Sequence, residues 1–476
     1  MSIKLDFNRI YSKLTEKISF AELASYIIFT DGQKYYAKNG SSGMIEYSDA
    51  DASNVIQYAI DSLVGKWGTV VLAPGIYRLS KTITMYPGIA LRGFYAGWFT
   101  GSEGFGTILV GNFNAPIIKV VNHPSYKDVM LYTVFPYISE LMVTSTAPSG
   151  STNNHGIYIS SENGVIHDMY LRNVMVAWCK GHGIYISGGG KYYITDSYSE
   201  GNELDGIYID SAWLVHIINN YIYGNRNGIY ITPSNSSIQI MIIGNMINGN
   251  KGHGIIAYPS VTDGHVVIIG NTINRSGSAS GYRNIYLVKV VNFIIANNVL
   301  SDDRSPVVTA YHIYIQDPSS RGVIEGNIFR TPAATDYMNV DFGAKVLIHN
   351  NIDDPMPVSL KTVSVPVGVN NTYGDAVYSI PFSPYNRLFK NFDIVINIGG
   401  TLASGETITV EISTYSSDGV YRTVTKTFTA TGSYPLSVVD KLSLVGNKTM
   451  LMWFRFRAMS NQASTNATVS ATVYAS

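Results

Sequence analysis

Internal disulfides are excluded at once, because the 476 residues contain a single cysteine, Cys179. Charge is scarce as well. Only 14% of residues are Asp, Glu, Lys or Arg, against about 25% in ordinary globular proteins. The 33 basic and 33 acidic side chains cancel, so neither nucleic acid nor an anionic membrane is an expected partner. No apolar run approaches the ~20 residues of a membrane span. The start, Met1-Ser-Ile-Lys-Leu-Asp-Phe, has neither the basic stretch nor the apolar core of a secretory signal peptide. If the protein works outside cells, the expected route is a different one, such as assembly into a virus released by lysis. No Cys/His spacing suits a metal and the acidic residues are dispersed, so no metal and no cofactor are expected.

What the chain does have is repetition. Its length exceeds the size at which one core stops growing, so a repeat architecture or several domains are implied. From about 155 to 355 the pattern Gly-Ile-Tyr-Ile starts at Gly156, Gly183, Gly206 and Gly228, and degrades to Gly254-Ile-Ile-Ala, Asn284-Ile-Tyr-Leu, His312-Ile-Tyr-Ile and Tyr337-Met-Asn-Val. A second column runs in step with it: Asn173, Asp196, Asn220, Asn245, Asn271, Asn297, Asn327 and Asn350. Two columns that hold phase over eight repeats mark a solenoid whose coils stack about 4.8 Å apart through parallel strands. Alternation along each strand turns the isoleucines inward and the tyrosine outward. The asparagines fit an internal amide ladder in which each side chain bonds the next coil.

The fold class expected is therefore all-β: a right-handed parallel β-helix with a C-terminal β-sandwich and a short N-terminal helix. Residues 1–48 read as a helix with apolar Phe7, Ile10, Leu14 and Ile18, then a hairpin with turns at Asp31-Gly32 and Asn39-Gly40, together a cap or attachment segment. Residues 49–357 read as the solenoid, opened by a helix with Ile56, Ala59, Ile60 and Leu63 on one face. Residues 358–476, with alternating strands such as DIVINI and ETITVEIST and turns at Asp418-Gly419 and Gly446-Asn447, read as the sandwich.

The segments DASNVIQYAIDSL (51–63), GTVVLAPGIYRLSKTITMYPGIALRGFY (68–95) and GTILVG (106–111) resemble the opening of the pectate-lyase-like superfamily, which includes polygalacturonases, pectate lyases and viral tailspikes. The resemblance spans about residues 49–355 and implies a right-handed β-helix that acts on or binds polysaccharide along one strand face. It implies no single activity, since hydrolases, lyases and non-catalytic proteins share the fold. Gly181-His182-Gly183 and Gly252-His253-Gly254 look like the polygalacturonase Gly-His-Gly, but both fill the repeat slot that His155, Asp205 and Asn227 also occupy. The accompanying Asn-Thr-Asp and Arg-Ile-Lys motifs are missing, so that mechanism is not carried over.

Two sets of candidate residues remain. Glycoside hydrolysis needs two carboxyl groups about 5–10 Å apart. Asp205 and Asp210, five extended residues apart, are about 16 Å from each other. His182 and Asp205 share a slot on adjacent coils at about 5 Å, which suits an acid–base pair. Glu200, Glu203 and Asp210 are nearby reserves. The bland alternative for the pair is a turn contact. The second set is the outward stripe Tyr158, Tyr185, Tyr208 and Tyr230, resumed by Tyr286 and Tyr314. Tyrosine faces pack on sugar rings and their hydroxyls bond sugar hydroxyls, although stacked tyrosines can equally serve packing or a subunit contact. The leading expectation is a glycan-recognising spike on a virion surface or otherwise extracellular, a homotrimer by analogy, with polysaccharide or cell-surface glycan as partner. A polysaccharide hydrolase or lyase, and a purely structural spike, are the alternatives.

Overall fold

The structure is a computed structural model. It describes residues 24–475 apart from 102, 127–134, 233–238, 259–263, 280, 332, 342–343, 350, 354–357, 379–391, 417–418 and 438–451. The expected helix over the first 25 residues falls almost wholly outside the described residues, as do Asp418 and the Gly446-Asn447 turn. The chain forms two compact units, residues 1–240 and 241–476.

The first unit opens with an antiparallel meander. Tyr26–Thr30 pairs with Tyr35–Asn39, which pairs with Ile45–Asp49. Asp31 makes the first turn, its Oδ1 accepting the N–H groups of Gln33 and Lys34 at 2.8 Å. Helix α1 (Ala52–Asp61) follows, N-capped by Asp51, whose carboxylate accepts from the Ser53 N–H. Its apolar face, Val55, Ile56, Ala59 and Ile60, is fully buried. Gln57 does a further job. Its side-chain amide takes the Thr84 N–H at 2.8 Å and gives to the Thr84 carbonyl at 3.1 Å, standing in for a strand neighbour at the open edge of Ile83–Met85.

From that edge the parallel stack begins. Ile83–Met85, Ile118–Val120, Ile157–Ser160, Ile184–Ser187, Ile207–Ser211 and Ile229–Ile231 pair in sequence. Their register aligns Ile157, Ile184, Ile207 and Ile229 in one buried column, and Tyr158, Tyr185, Tyr208 and Tyr230 in an outward one. Coil-to-coil contact at this point is close. A Cβ on Gly183 would lie 2.7 Å from the Gly206 carbonyl oxygen and 2.4 Å from Ser199 Oγ, which is why the pattern carries glycine there.

The second unit repeats the scheme. Met246–Asn248, Thr272–Asn274, Val299–Ser301, Ile328–Phe329 and Ile352–Asp353 form one parallel run. Ile255–Ala257, Arg283–Val288, Tyr311–Gln316 and Asp336–Val340 form another. A two-sheet β-sandwich follows. One sheet orders Val358–Val365, Asn466–Ala475, Phe392–Thr401 and Gly432–Ser437. The other is built around Met452–Ser460, Ile408–Ser416 and Gly419–Phe428. Ile394, Ile396 and Ala471 of the first and Ile408, Val410 and Phe456 of the second are buried, the alternation expected of two faces that share a core.

The amide ladder is present and its register needs one correction. In the second unit the amide Nδ2 of Asn245 bonds Oδ1 of Asn271, Asn271 bonds Asn298, Asn298 bonds Asn327 and Asn327 bonds Asn351, each at 2.9 Å. Each Oδ1 also accepts the backbone N–H of the rung before it. Asn220, Asn245, Asn271 and Asn327 are buried as expected. Asp196 and Asn297 are not rungs; their neighbours Ser197 and Asn298 are, and Asn173 likewise precedes Val174, whose N–H goes to Ser197 Oγ. Asn173, Asp196 and Asn297 are exposed and left-handed, with φ of 53°, 53° and 57°. They turn the chain immediately before the rung. Asparagine suits both roles and the two roles are adjacent, so residue type alone does not separate them. Asn350 lies outside the described residues, and Asn351 carries that rung.

Replacing Asn271 by Leu strips partners from two buried neighbours at once. The expected loss is about 1–3 kcal/mol in denaturant unfolding; an unchanged midpoint would mean the ladder contributes nothing net.

Candidate functional site

The residue before each slot glycine is a rung of its own. Nδ1 of His155 accepts the His182 N–H at 3.0 Å, and Nδ1 of His182 accepts the Asp205 N–H at 3.2 Å. Oδ1 of Asp205 accepts the Asn227 N–H at 3.2 Å and its Nδ2 at 2.8 Å. With Nδ1 accepting, His155 carries its proton on Nε2, and burial favours the neutral ring there. The second unit repeats the device, His253 Nδ1 accepting the Arg283 N–H at 3.1 Å. His312 is held on both sides, by Asn284 Nδ2 at Nδ1 (2.8 Å) and by the Thr331 carbonyl at Nε2 (2.7 Å).

The structure thus brings His182 and Asp205 together, with Nδ1 3.3 Å from Oδ2. Their surroundings are those of a rung. The Asp205 side chain is wholly buried and also receives the Arg226 fork, Nε at 2.9 Å and Nη2 at 2.5 Å. Burial would raise its pKa, but His182 and the Arg226 guanidinium outweigh this and hold the carboxyl below its usual range. Asp302 is the same kind of group, enclosed by the Arg304 fork and the N–H groups of Val308 and Thr309.

The tyrosine column stands beside these rungs. Ring centroids are 4.8 Å apart for Tyr158–Tyr185, 5.0 Å for Tyr185–Tyr208 and 5.5 Å for Tyr208–Tyr230. All four rings are half-buried, and His182 lies flat on Tyr208 at 4.5 Å. Tyr185 donates to Asp210 Oδ2 at 2.7 Å, and burial and that carboxylate push its hydroxyl pKa up. The other oxygen, Asp210 Oδ1, is buried and has no hydrogen-bond partner among the described residues. In the second unit Tyr286 and Tyr314 stack at 5.3 Å, with the Arg283 guanidinium 4.5 and 4.7 Å from their centroids.

Sequence reasoning missed a second ladder. Asn202 Oδ1 takes the Cys179 N–H, and Asn225 Oδ1 takes both the N–H and Nδ2 of Asn202. The 23-residue spacing of Asn202 and Asn225 was a usable signal. Cys179 beside it is wholly buried, which raises its thiol pKa. Among the described residues no group of three His, Cys, Asp or Glu is placed to hold a metal, and no helix is long and apolar enough to cross a membrane.

Burial lowers the pKa of His155 to about 3, with His182 adding to the effect, and those of His253 and His312 to about 4, from 6.5. The unfolded chain therefore binds more protons than the folded one between about pH 6.5 and 4, and stability must fall as pH drops through that window. A tenfold difference in proton affinity between the two states is worth about 1.4 kcal/mol, so the three histidines together cost several kcal/mol by pH 4. Depressed carboxylates such as Asp205 lose their contribution only below about pH 4, the unfolded range of Asp. Thermal melts across pH 7.5 to 4 should show the fall, and His253→Asn should flatten it; a pH-independent melting temperature would contradict the neutral rungs.

The family model described as a right-handed β-helix region matches residues 155–277. No protein of curated function matches the chain. Among solved structures, the A-module of a mannuronan C-5 epimerase from Azotobacter vinelandii is similar at 17% identity and a TM-score of 0.43, over 64% of this chain and 96% of that one. The enzymatically active domain of tailspike protein 4 from bacteriophage CBA120 is similar at 11% identity and a TM-score of 0.46, over 94% and 69%. The catalytic unit of an α-1,3-glucanase from Streptomyces thermodiastaticus gives 14%, 0.41, 63% and 56%. Likenesses at this level say nothing of substrate or reaction. The family model matches about a quarter of the chain, and together with the stacked parallel coils it marks the fold as a right-handed parallel β-helix.

Proposed function

We propose that the protein is a glycan-recognising spike or fibre, displayed on a virion or otherwise outside cells and assembled as a homotrimer, with polysaccharide or cell-surface glycan as its ligand. The observation that carries this reading is the column Tyr158–Tyr185–Tyr208–Tyr230, four half-buried rings repeating at the coil spacing. A linear polymer of sugar rings repeats on a similar length scale, so successive rings meet successive sugars. Asp210 adds a buried acceptor oxygen at the edge of the column, without a partner among the described residues and suited to a sugar hydroxyl. His182 and Asp205 take a supporting role in this reading: they fix the coils that carry the rings, and turnover is not assigned to them.

Replacing Tyr185 and Tyr208 together by Ala should abolish binding on a glycan array while the chain stays folded by circular dichroism. Two stacking rings contribute on the order of 1 kcal/mol or more each. A collapse of the melting temperature in that variant would make the column structural. Release of reducing sugar that disappears in Asp205→Asn would replace recognition by hydrolysis.

A further inference from the structure

A second group of exposed aromatic residues lies on a different sheet of the first unit, beside a carboxyl group that has no hydrogen-bond or ion-pair partner among the described residues. Ile166–Ala177, Tyr198–Glu200 and Tyr221–Tyr223 pair in parallel, aligning Met175 with Tyr198 and Tyr221, and Ala177 with Glu200 and Tyr223. Met175 and Ala177 belong to an apolar cluster outside the coils, covered by Phe99 from the excursion between Arg92 and Thr107. The cover ends at Trp98, whose ring meets Trp178 edge-on at 5.5 Å. On the following coils Tyr198 and Tyr223 are left 47% and 40% exposed, so ring surface is open where the cover stops.

Trp178 occupies a position built for glycine. The same slot on the next two coils holds Gly201 and Gly224, with φ of 63° and 69°, and Trp178 takes φ of 58°. A bulky residue in the left-handed region is strained. Gly201 in turn leaves room for the indole, since a Cβ there would lie 2.7 Å from Trp178 Cδ1. The chain thus accepts backbone strain to seat an indole over Gly201, the residue that follows Glu200, whose carbonyl takes the Trp178 N–H.

Glu200 is the second and independent observation. Asp49, Asp51, Glu140, Asp168, Glu203, Asp205 and Asp210, the other buried or half-buried carboxylates described in residues 24–240, each have a hydrogen-bond or ion-pair partner. Glu200 has none among the described residues, and burial pushes its pKa up.

We propose that Trp98, Trp178, Tyr198, Tyr221 and Tyr223 with Glu200 form a saccharide-binding shelf, separate from the tyrosine column, that takes a neutral sugar. A neutral pyranose offers an apolar face to the rings and hydroxyl donors to the carboxyl, satisfying both parts of the site. An apolar protein face, including a second copy of this chain, would cover Glu200 without pairing it and incur the cost of desolvating the group. An acidic sugar would set like charge against it.

Quenching of tryptophan emission tests the shelf, with cellohexaose, maltohexaose and laminarihexaose as neutral probes and hexagalacturonate as the acidic one. At least one neutral hexamer should quench saturably and hexagalacturonate should not. The affinity should fall about tenfold in Tyr198→Ala with Tyr223→Ala, exposed positions whose loss leaves the fold intact, and severalfold in Glu200→Gln. Tyr185→Ala with Tyr208→Ala should leave the quenching unchanged, which separates this site from the column. Failure of all three neutral hexamers, equal binding of the acidic one, or binding that survives loss of Tyr198 and Tyr223 overturns the proposal. So does a concentration-dependent doubling of mass that the Tyr198/Tyr223 variant removes, because that assigns the shelf to a second copy.

Discussion

The turn backbone is the constraint on which everything else depends. Parallel strands satisfy their own N–H and C=O groups by stacking, but the corners between strands have no ladder and are still buried. The chain solves this with side chains that imitate a strand. An asparagine at a corner takes the N–H of the coil on one side through Oδ1 and passes its own Nδ2 to the coil on the other, as Asn271 does between Asn245 and Asn298. Histidine and aspartate do the same job in the slot before Gly183 and Gly206. Once corners repeat at one height per coil, the strands between them have no freedom of register. Tyrosine must then fall above tyrosine and isoleucine above isoleucine. Gln57 shows the rule at its limit, supplying an amide where the stack has no further coil to offer.

Much of this was readable from residue types because the solenoid repeats its requirements. Gly-Ile-Tyr-Ile gave the inward and outward faces correctly, since period two fixes direction along a strand. The helix carrying Ile56, Ala59 and Ile60 was equally plain. The asparagine column was harder. Each corner needs a left-handed residue followed by a rung, and at Asn297–Asn298 asparagine fills both positions, so sequence alone could not say which one faces inward. Ser197 as a rung was hidden because a hydroxyl replaced the amide. The Trp98–Trp178 contact depends on an excursion that no repeat dictates, and nothing in spacing announces it.

The candidate site divides along the same line. His182 and Asp205 were legible as a close pair because they share a slot, and the same slot explains why Asp205 and the Nδ1 of His182 are already engaged. A side chain that closes a corner has used its lone pairs on the backbone. Chemistry toward a ligand must come from groups that the stack does not consume. Among the described residues of the first unit these include an oxygen of Asp210 beside the tyrosine column, and the carboxyl of Glu200 among exposed rings.

Cys179 has a practical consequence of a different kind. It is the only thiol in the chain, it is wholly buried, and burial keeps it protonated, so it is a poor nucleophile toward alkylating reagents. A cysteine introduced at any exposed site would therefore be the single reactive handle on an otherwise unmodified molecule. Dyes or spin labels could be placed one coil at a time along either face, without first removing the native sulfur and the packing it provides against Gly156.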